Sequence, residues 1–303
     1  MKENQGILLE SGTNELEIIE FEINHNRYGI NVIKVKEIIQ PAAITPIPHA
    51  HPFVMGIIQL RGEVLPVVDI RKVLGAARQE KVPHQKFIVS EFNQQKIVFQ
   101  VDNVSMIHRI SWDQIEKPSQ IYQNEASQVI GVIKRENEML LLLDFEQILL
   151  EINPETGINV GMVKQLGKRE RSSKKLLIAE DSPMLRKLLF DTLNEAGYDQ
   201  IEFFENGKDA FEFLTSVDEA DSEKRIEECI QLIITDIEMP QMDGHHFTKK
   251  VKEHPVFSKL PIIIFSSLIT EDLKHKGNQV GADEQISKPQ ISELVQSIDR
   301  LAL

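Results

Sequence analysis

Cysteine is nearly absent from this 303-residue chain: Cys229 is the only one. One thiol closes no internal disulfide, so a reducing compartment is expected. Cys229 follows an acidic, helical-looking stretch and has no histidine or aspartate partner nearby, which makes it a plain buried or half-buried thiol rather than a nucleophile. Long apolar runs are also missing. The longest, Met139–Leu143 and 260–265, fall far short of the roughly 20 residues that cross a bilayer, and the opening MKENQGILLESG lacks a signal-peptide core. A cytoplasmic protein with no direct membrane insertion is expected. Positive charge is in deficit, with 34 Lys+Arg against 47 Asp+Glu for a net charge of −13. From residue 172 onward 15 basic side chains face 25 acidic ones, which puts −10 of that charge in the C-terminal half. That balance argues against nucleic-acid binding and suits cations or basic partners. No internal repeat or low-complexity tract is visible.

What is present is ordinary globular material, 41% hydrophobic and 27% charged, long enough for two domains. The first half is β-rich. Strands are expected at 16–23, 26–30, 54–60, 63–69, 86–90, 96–101, 131–134 and 139–144, with 32–39 open between a short helix and extended chain. Pro46, Pro48 and Pro52 suppress regular structure over 43–53. Arg61-Gly62 between two apolar runs signals a hairpin. Many short strands and few long helices suggest barrels or a sandwich. Pro154, Gly157, Gly161, Gly167 and the charged 168–171 mark a linker, with a short helix before it. The division expected is a first domain over 1–156 (core about 16–151), a linker over 157–173 and a second domain over 174–303.

The second half changes period. Buried-type strands at 175–179, 201–204, 231–235, 261–265 and 284–287 alternate with helices at 183–196, 208–216, 245–253, 270–277 and 291–302. Gly197 is placed to stop the first helix. The acidic 217–228 reads as an enlarged helix-to-strand connection. Five such alternations predict an α/β doubly wound parallel sheet with helices on both faces.

In such a sheet ligands sit beyond the carboxyl ends of the strands. There the sequence places Glu180-Asp181, Asp236, Ser266-Ser267 and Lys288. One acid at a strand end is usually just solvated, but three acids, a hydroxyl and a lysine at the correct ends form a site. Clustered carboxylates repel, and a divalent cation resolves the repulsion. All-oxygen ligands favour Mg²⁺. Asp236 can then act as a carboxylate nucleophile toward phosphorus, with Mg²⁺ and Lys288 offsetting the charge and the Ser266 hydroxyl donating to the phosphoryl oxygens.

EDSPMLRKLL, IITDIEMPQMDG, IIIFSS and SKP resemble the receiver domains of two-component response regulators, over about 174–303. The resemblance implies Mg²⁺ held by Glu180, Asp181, Asp236 and the backbone carbonyl of Glu238. It also implies Asp236 as phosphoacceptor, Ser266 and Lys288 as the switch pair, and a phosphohistidine donor on a kinase. The chain would be no enzyme, only a self-phosphorylating acceptor. Gln285 stands where receivers often carry Tyr or Phe, which places the usual hydroxyl–aromatic coupling in doubt. Leu268, two residues after Ser266, cannot position a water, and slow self-dephosphorylation is expected. No output module is recognisable after the last helix, so output is expected from the first half.

That half shows no catalytic constellation. Its histidines are His25, His49, His51, His84 and His108; His49-Ala-His51 could bind a metal, but no Cys or nearby carboxylate completes the set, and loop histidines are the reading. Asp69 faces solvent or caps a helix starting near Ile70. Arg61 either pairs with a neighbouring carboxylate or presents a bidentate donor to a partner. YGINVIKVKEII, MGIIQLRGEVLPVVDIRKVLG, KIVFQVDNVSMI and MLLLLDFEQIL are similar to the CheW-type coupling domain of bacterial chemotaxis, over about 16–151. The implied fold is a pair of small five-stranded β-barrels. The implied role is scaffolding between membrane chemoreceptors and the CheA histidine kinase, with Val35, Glu37 and Arg61 at partner-contact positions, though Val35 also suits packing. Coupling domain followed by receiver is the CheV-type arrangement. It implies an adaptor whose grip on receptor or kinase responds to phosphorylation of Asp236, giving adaptation, in polar receptor arrays. A phosphate sink that drains the kinase is the alternative. An enzyme with external substrates fits worst.

Overall fold

The structure, a computed structural model, describes residues 14–76, 85–92, 95–116, 128–135, 138–154, 169–220, 226–267, 269 and 271–302. It divides into two compact units, one formed chiefly by Glu17–Ile110 and Gln114–Gly157, the other chiefly by Ile158–Leu303.

The N-terminal unit holds eleven described strands: β1 (Glu15–Ile23), β2 (Asn26–Asn31), β3 (Val35–Ile39), β4 (Val54–Leu60), β5 (Glu63–Asp69), β6 (Lys86–Phe92), β7 (Gln95–Val101), β8 (Asn103–Ser111), β9 (Ile115–Glu116), β10 (Val129–Lys134) and β11 (Met139–Leu143). They form two sheets, ordered β8-β1-β2-β11-β10-β9 and β3-β6-β7-β5-β4. Two small β-units are therefore present, and one of them has six strands. The open reading of 32–39 resolves into both alternatives, a 3₁₀ turn over Val32–Lys34 followed by β3.

The second sheet curls. Thr45, beyond β3, exchanges two 2.9 Å backbone hydrogen bonds with Ile57 of β4, although these strands lie at opposite ends of the sheet order. The approach needs a glycine, because a Cβ on Gly56 would lie 2.2 Å from the Thr45 carbonyl oxygen. Both residues of the β4–β5 turn have positive φ, Arg61 at 50° and Gly62 at 89°, as a two-residue hairpin requires.

Each sheet delivers a strand into a short helix through an aspartate cap. β5 ends in Asp69, which accepts from Arg71 N and starts α1 (Ile70–Val73). β11 is followed by Asp144, which accepts from Gln147 N and starts α2 (Phe145–Ile152). Fully buried Phe145 meets Phe99, Phe21 and Phe92 at ring separations of 4.7, 6.3 and 6.2 Å. Burying one such ring contributes roughly 2–3 kcal/mol.

The C-terminal unit alternates β12 (Ser172–Ala179), α3 (Pro183–Glu195), β13 (Tyr198–Phe204), α4 (Gly207–Ala220), α5 (Ile226–Cys229), β14 (Leu232–Thr235), α6 (Gly244–Glu253), β15 (Ile262–Ser266), α7 (Glu271–Gln279), β16 (Glu284–Ser287) and α8 (Ile291–Leu301). All pairs are parallel, in the order β13-β12-β14-β15-β16. Every residue of β14 and β15 is buried, as expected of strands covered on both faces. Gly197 takes φ 97° just beyond α3.

Among the boundaries that differ from expectation, two bear on the domain division and its connections. β12 begins at Ser172, inside the expected linker, because Ser172 pairs with Tyr198 across a bulge. The connection after α4 is shorter than expected: the helix runs to Ala220, since Leu214 and Val217 keep its apolar stripe on the core. Cys229 is half-buried against that core.

Candidate metal and phosphorylation centre

Each acid of the centre is placed by the end of a strand. Glu180 follows β12 and Asp236 follows β14. Asp236 is tied to the neighbouring strand by its N–H to the Ala179 carbonyl at 2.9 Å, and Glu180 by its N–H to the Phe204 carbonyl at 2.9 Å. Glu180, Asp181 and Asp236 each present a carboxylate oxygen within 4.8 Å of the others. Glu180 and Asp236 are buried, at 2% and 6% exposure.

The lysine expected from the strand-five end lies between them. Lys288 Nζ, 4% exposed, donates to Glu180 Oε2 at 2.8 Å and Asp236 Oδ2 at 3.1 Å. Asp236 Oδ1 accepts from Ile237 N at 2.7 Å. Ser266 is buried at the end of β15, with its carbonyl accepting from Lys288 N at 3.0 Å. Glu238, at 8% exposure, lies in the loop after Asp236. Gly244 closes this loop: an added Cβ would lie 1.8 Å from the Asp236 carbonyl oxygen. All the residues expected at the centre thus lie at one edge of the sheet. One ammonium facing three carboxylates leaves the cluster with excess negative charge. The all-oxygen donor set fits a hard divalent cation such as Mg²⁺.

Behind the centre, Asp243 caps α6 by accepting from His246 N at 2.8 Å, and its burial pushes its pKa up to about 6. His245 is 6% exposed. Burial first, then the charge of Lys276, pushes its pKa down to about 4, and its Nε2 has no hydrogen-bond partner among the described residues.

Gln285 sits on β16, where its Nε2 donates to the Lys274 carbonyl at 2.8 Å and to Asn278 Oδ1 at 2.9 Å, both on α7. Leu268 lies outside the described residues. Sequence reasoning does not single out Arg186, whose guanidinium holds the loop bearing Glu180 and Asp181. Only the SP start of a helix, with an arginine one turn in, could have drawn attention to it.

In the N-terminal unit, Arg61 Nη2 donates to Glu37 Oε2 at 2.9 Å. Of the two readings of Arg61, the carboxylate partner is therefore present, and its side chain is still 78% exposed. Val35 is half-buried against the core. His51 accepts from Phe53 N at 3.3 Å and packs edge-on against that ring. Among the described residues the acidic triad is the one group with metal-ligand geometry, and no helix among them is long and apolar enough to cross a membrane.

These two units define a class, a CheW-like domain joined to a response-regulator receiver domain. The corresponding family models match residues 17–153 and 176–299. The chain is 30% identical over 303 residues to chemotaxis protein CheV3 of Helicobacter pylori (strain ATCC 700392 / 26695), covering 95% of this chain and 94% of the relative. It is 29% identical to chemotaxis protein CheW of Thermotoga maritima (strain ATCC 43589 / DSM 3109 / JCM 10099 / NBRC 100826 / MSB8), over 48% of this chain and 94% of that one. Among solved structures, scaffolding protein TtCheW from Thermoanaerobacter tengcongensis matches with 30% identity and a TM-score of 0.40, over 42% of this chain and 88% of that one.

The chain belongs to the CheV family of chemotaxis proteins. It is a non-enzymatic signalling protein, a chemotaxis coupling adaptor with a phosphorylatable receiver domain, and the phosphate-sink alternative is not favoured.

Proposed function

We propose that Asp236 is the phosphoacceptor and that its phosphorylation regulates coupling between membrane chemoreceptors and a CheA-type histidine kinase. The observation that carries the reading is Lys288 bridging Glu180 and Asp236 beside Asp181. In this reading Glu180, Asp181, Asp236 and the backbone carbonyl of Glu238 hold Mg²⁺, which supplies charge neutralisation at the transferring phosphoryl group.

An Asp236 carboxylate oxygen forms the new bond to phosphorus as the phosphorus–nitrogen bond to the donor histidine breaks. The electron pair of that bond leaves with the imidazole nitrogen. Lys288 exchanges its contact with Asp236 Oδ2 for a phosphoryl oxygen while keeping Glu180, and the Ser266 hydroxyl donates to another. Burial of this set strengthens each contact and needs little rearrangement during transfer. The resulting shift at the sheet edge alters the coupling module's grip on receptor or kinase, giving adaptation.

In the coupling module, taken as residues 1–156, Arg61 and Glu37 offer a charged contact surface and Val35 supports it. The receptors' cytoplasmic tips and the kinase are the partners, which places the protein in cytoplasmic, polar receptor arrays.

The test is transfer of labelled phosphoryl from phosphorylated kinase with Mg²⁺, on wild type and Asp236→Ala, with array binding measured on both. Label on wild type only, with altered binding, is the expected result. Label without any change in binding returns the sink, and an unlabelled wild type overturns Asp236 as acceptor.

A further inference from the structure

Glu180 and Asp181 are consecutive, and consecutive side chains on extended backbone project to opposite sides. Bringing both carboxylates to one ion requires the backbone between β12 and α3 to be held in a fixed turn. One guanidinium does this. Arg186 Nη1 donates to the Glu180 carbonyl at 2.7 Å and to the Asp181 carbonyl at 2.9 Å. Its Nη2 donates to Glu205 Oε1 at 3.0 Å, just beyond β13. The side chain is 17% exposed, and its backbone N–H donates to Ser182 O at 2.9 Å in the first turn of α3. Ser182 N in turn donates to Glu180 Oε1 at 3.2 Å. The turn is thus held between a helix start and the end of the adjacent strand, by contacts to both acid-bearing residues.

We propose that Arg186 is a positioning residue for the cation site: it holds the peptide groups of Glu180 and Asp181 so that the two carboxylates reach one Mg²⁺, and so sets the affinity for the ion. This rests on the Mg²⁺ reading above. The planar fork matters more than the charge, because three acceptors in two directions suit a guanidinium and not one ammonium. The alternatives predict different signs. A cation acting only through space opposes Mg²⁺, so its removal tightens binding. A brace that serves stability alone leaves affinity unchanged. A positioning group removed weakens binding, because ordering the turn then draws on the binding free energy.

The experiment titrates Mg²⁺ alone into the full chain by calorimetry, for wild type, Arg186→Gln, Arg186→Lys and Glu205→Gln. Thermal unfolding in EDTA is run alongside, so that each titration is made on folded protein. The expected result is a dissociation constant raised about tenfold in both Arg186 variants, with no rescue by lysine. Glu205→Gln, which keeps an acceptor, stays within about threefold of wild type. Equal or tighter binding in Arg186→Gln, or wild-type affinity in Arg186→Lys, overturns the proposal. A wild type that binds no Mg²⁺ overturns the metal reading itself, a distinct result that removes this proposal with it.

Discussion

Arg61 at the β4–β5 turn and Glu37 on β3 are partners of each other, joined at 2.9 Å. The sequence offers them as two separate contact residues, yet any partner that takes the Arg61 guanidinium must share or displace Glu37. Because Arg61 is largely exposed, the pair itself stabilises the fold by less than about 1 kcal/mol. Arg61→Glu should therefore leave the unfolding midpoint almost unchanged while reducing recruitment to receptor arrays. The double swap Arg61→Glu with Glu37→Arg restores an ion pair but not the original display of charge. Continued loss of recruitment in the double swap is expected. Full recovery would make the pair a structural feature only.

Lys288 carries a larger consequence for stability. It is a buried cation that bridges Glu180 and Asp236, and removing one partner of a buried ion pair costs roughly 3–5 kcal/mol because the other charge stays buried. Lys288→Ala should destabilise the receiver unit strongly in EDTA. Added Mg²⁺ should recover more stability in the variant than in wild type, since the ion then takes over the offsetting charge. In wild type the gain follows ligand linkage, about 2.7 kcal/mol at a hundredfold excess over the dissociation constant. Chemical unfolding with and without Mg²⁺ measures both effects, and equal Mg²⁺ gains in the two proteins would count against this role.

Most of this centre was legible because parallel strands end in register and each end is marked by an abrupt change from apolar to polar residues: IITD ending at Asp236, IIIFSS containing Ser266, ISKP at Lys288. What was not legible depends on contacts across the fold. Strand β8 escapes the apolar alternation because Ser105, Met106 and Ile107 are all exposed on an edge strand. Arg186 looks like any basic residue on an amphipathic helix, and only the turn of the backbone brings two carbonyls to it. The Arg61–Glu37 pair joins residues 24 positions apart, brought together by the curl of a sheet whose order no local pattern states.

His245 gives the receiver unit a pH signature. Its pKa in the fold is depressed to about 4 by burial and Lys276, against an ordinary value near 6.5. Between pH 6.5 and 4 the unfolded chain binds a proton that the folded chain refuses, so this residue removes stability as pH falls through that window, by about 3 kcal/mol in all. Asp243 acts oppositely. Its pKa is raised to about 6, so between pH 6 and 4 the folded chain holds a proton that the unfolded chain releases, and stability rises as pH falls. Over pH 4–6 the two contributions therefore oppose one another. His245→Leu removes the first contribution, so its stability relative to wild type should rise as pH falls from 6 to 4. It should also gain roughly 1–2 kcal/mol at pH 7.5, where wild type buries an Nε2 with no partner among the described residues. Urea unfolding across pH checks both, and a parallel pH profile in wild type and variant would exclude His245 as the source.

Gln285 presents an amide that holds β16 to α7, through the Lys274 carbonyl and Asn278. It does so over a helical glycine. A Cβ on Gly277 would lie 2.2 Å from Gln285 Oε1, 2.3 Å from its Cδ and 2.6 Å from its Nε2. Glycine within a helix ordinarily costs about 1 kcal/mol relative to alanine, so Gly277→Ala should stabilise an unconstrained helix by that amount. Here the methyl group would expel the amide and break two hydrogen bonds, each contributing about 1 kcal/mol. Gly277→Ala is therefore expected to destabilise wild type and to stabilise the Gln285→Ala background, a reversal of sign that neither substitution shows alone. A double-mutant cycle by urea unfolding, run on the unphosphorylated chain, reads the coupling directly. If Gly277→Ala stabilises both backgrounds equally, the amide is not held against α7, and the link from the Lys288 end of β16 to that helix must run through other contacts.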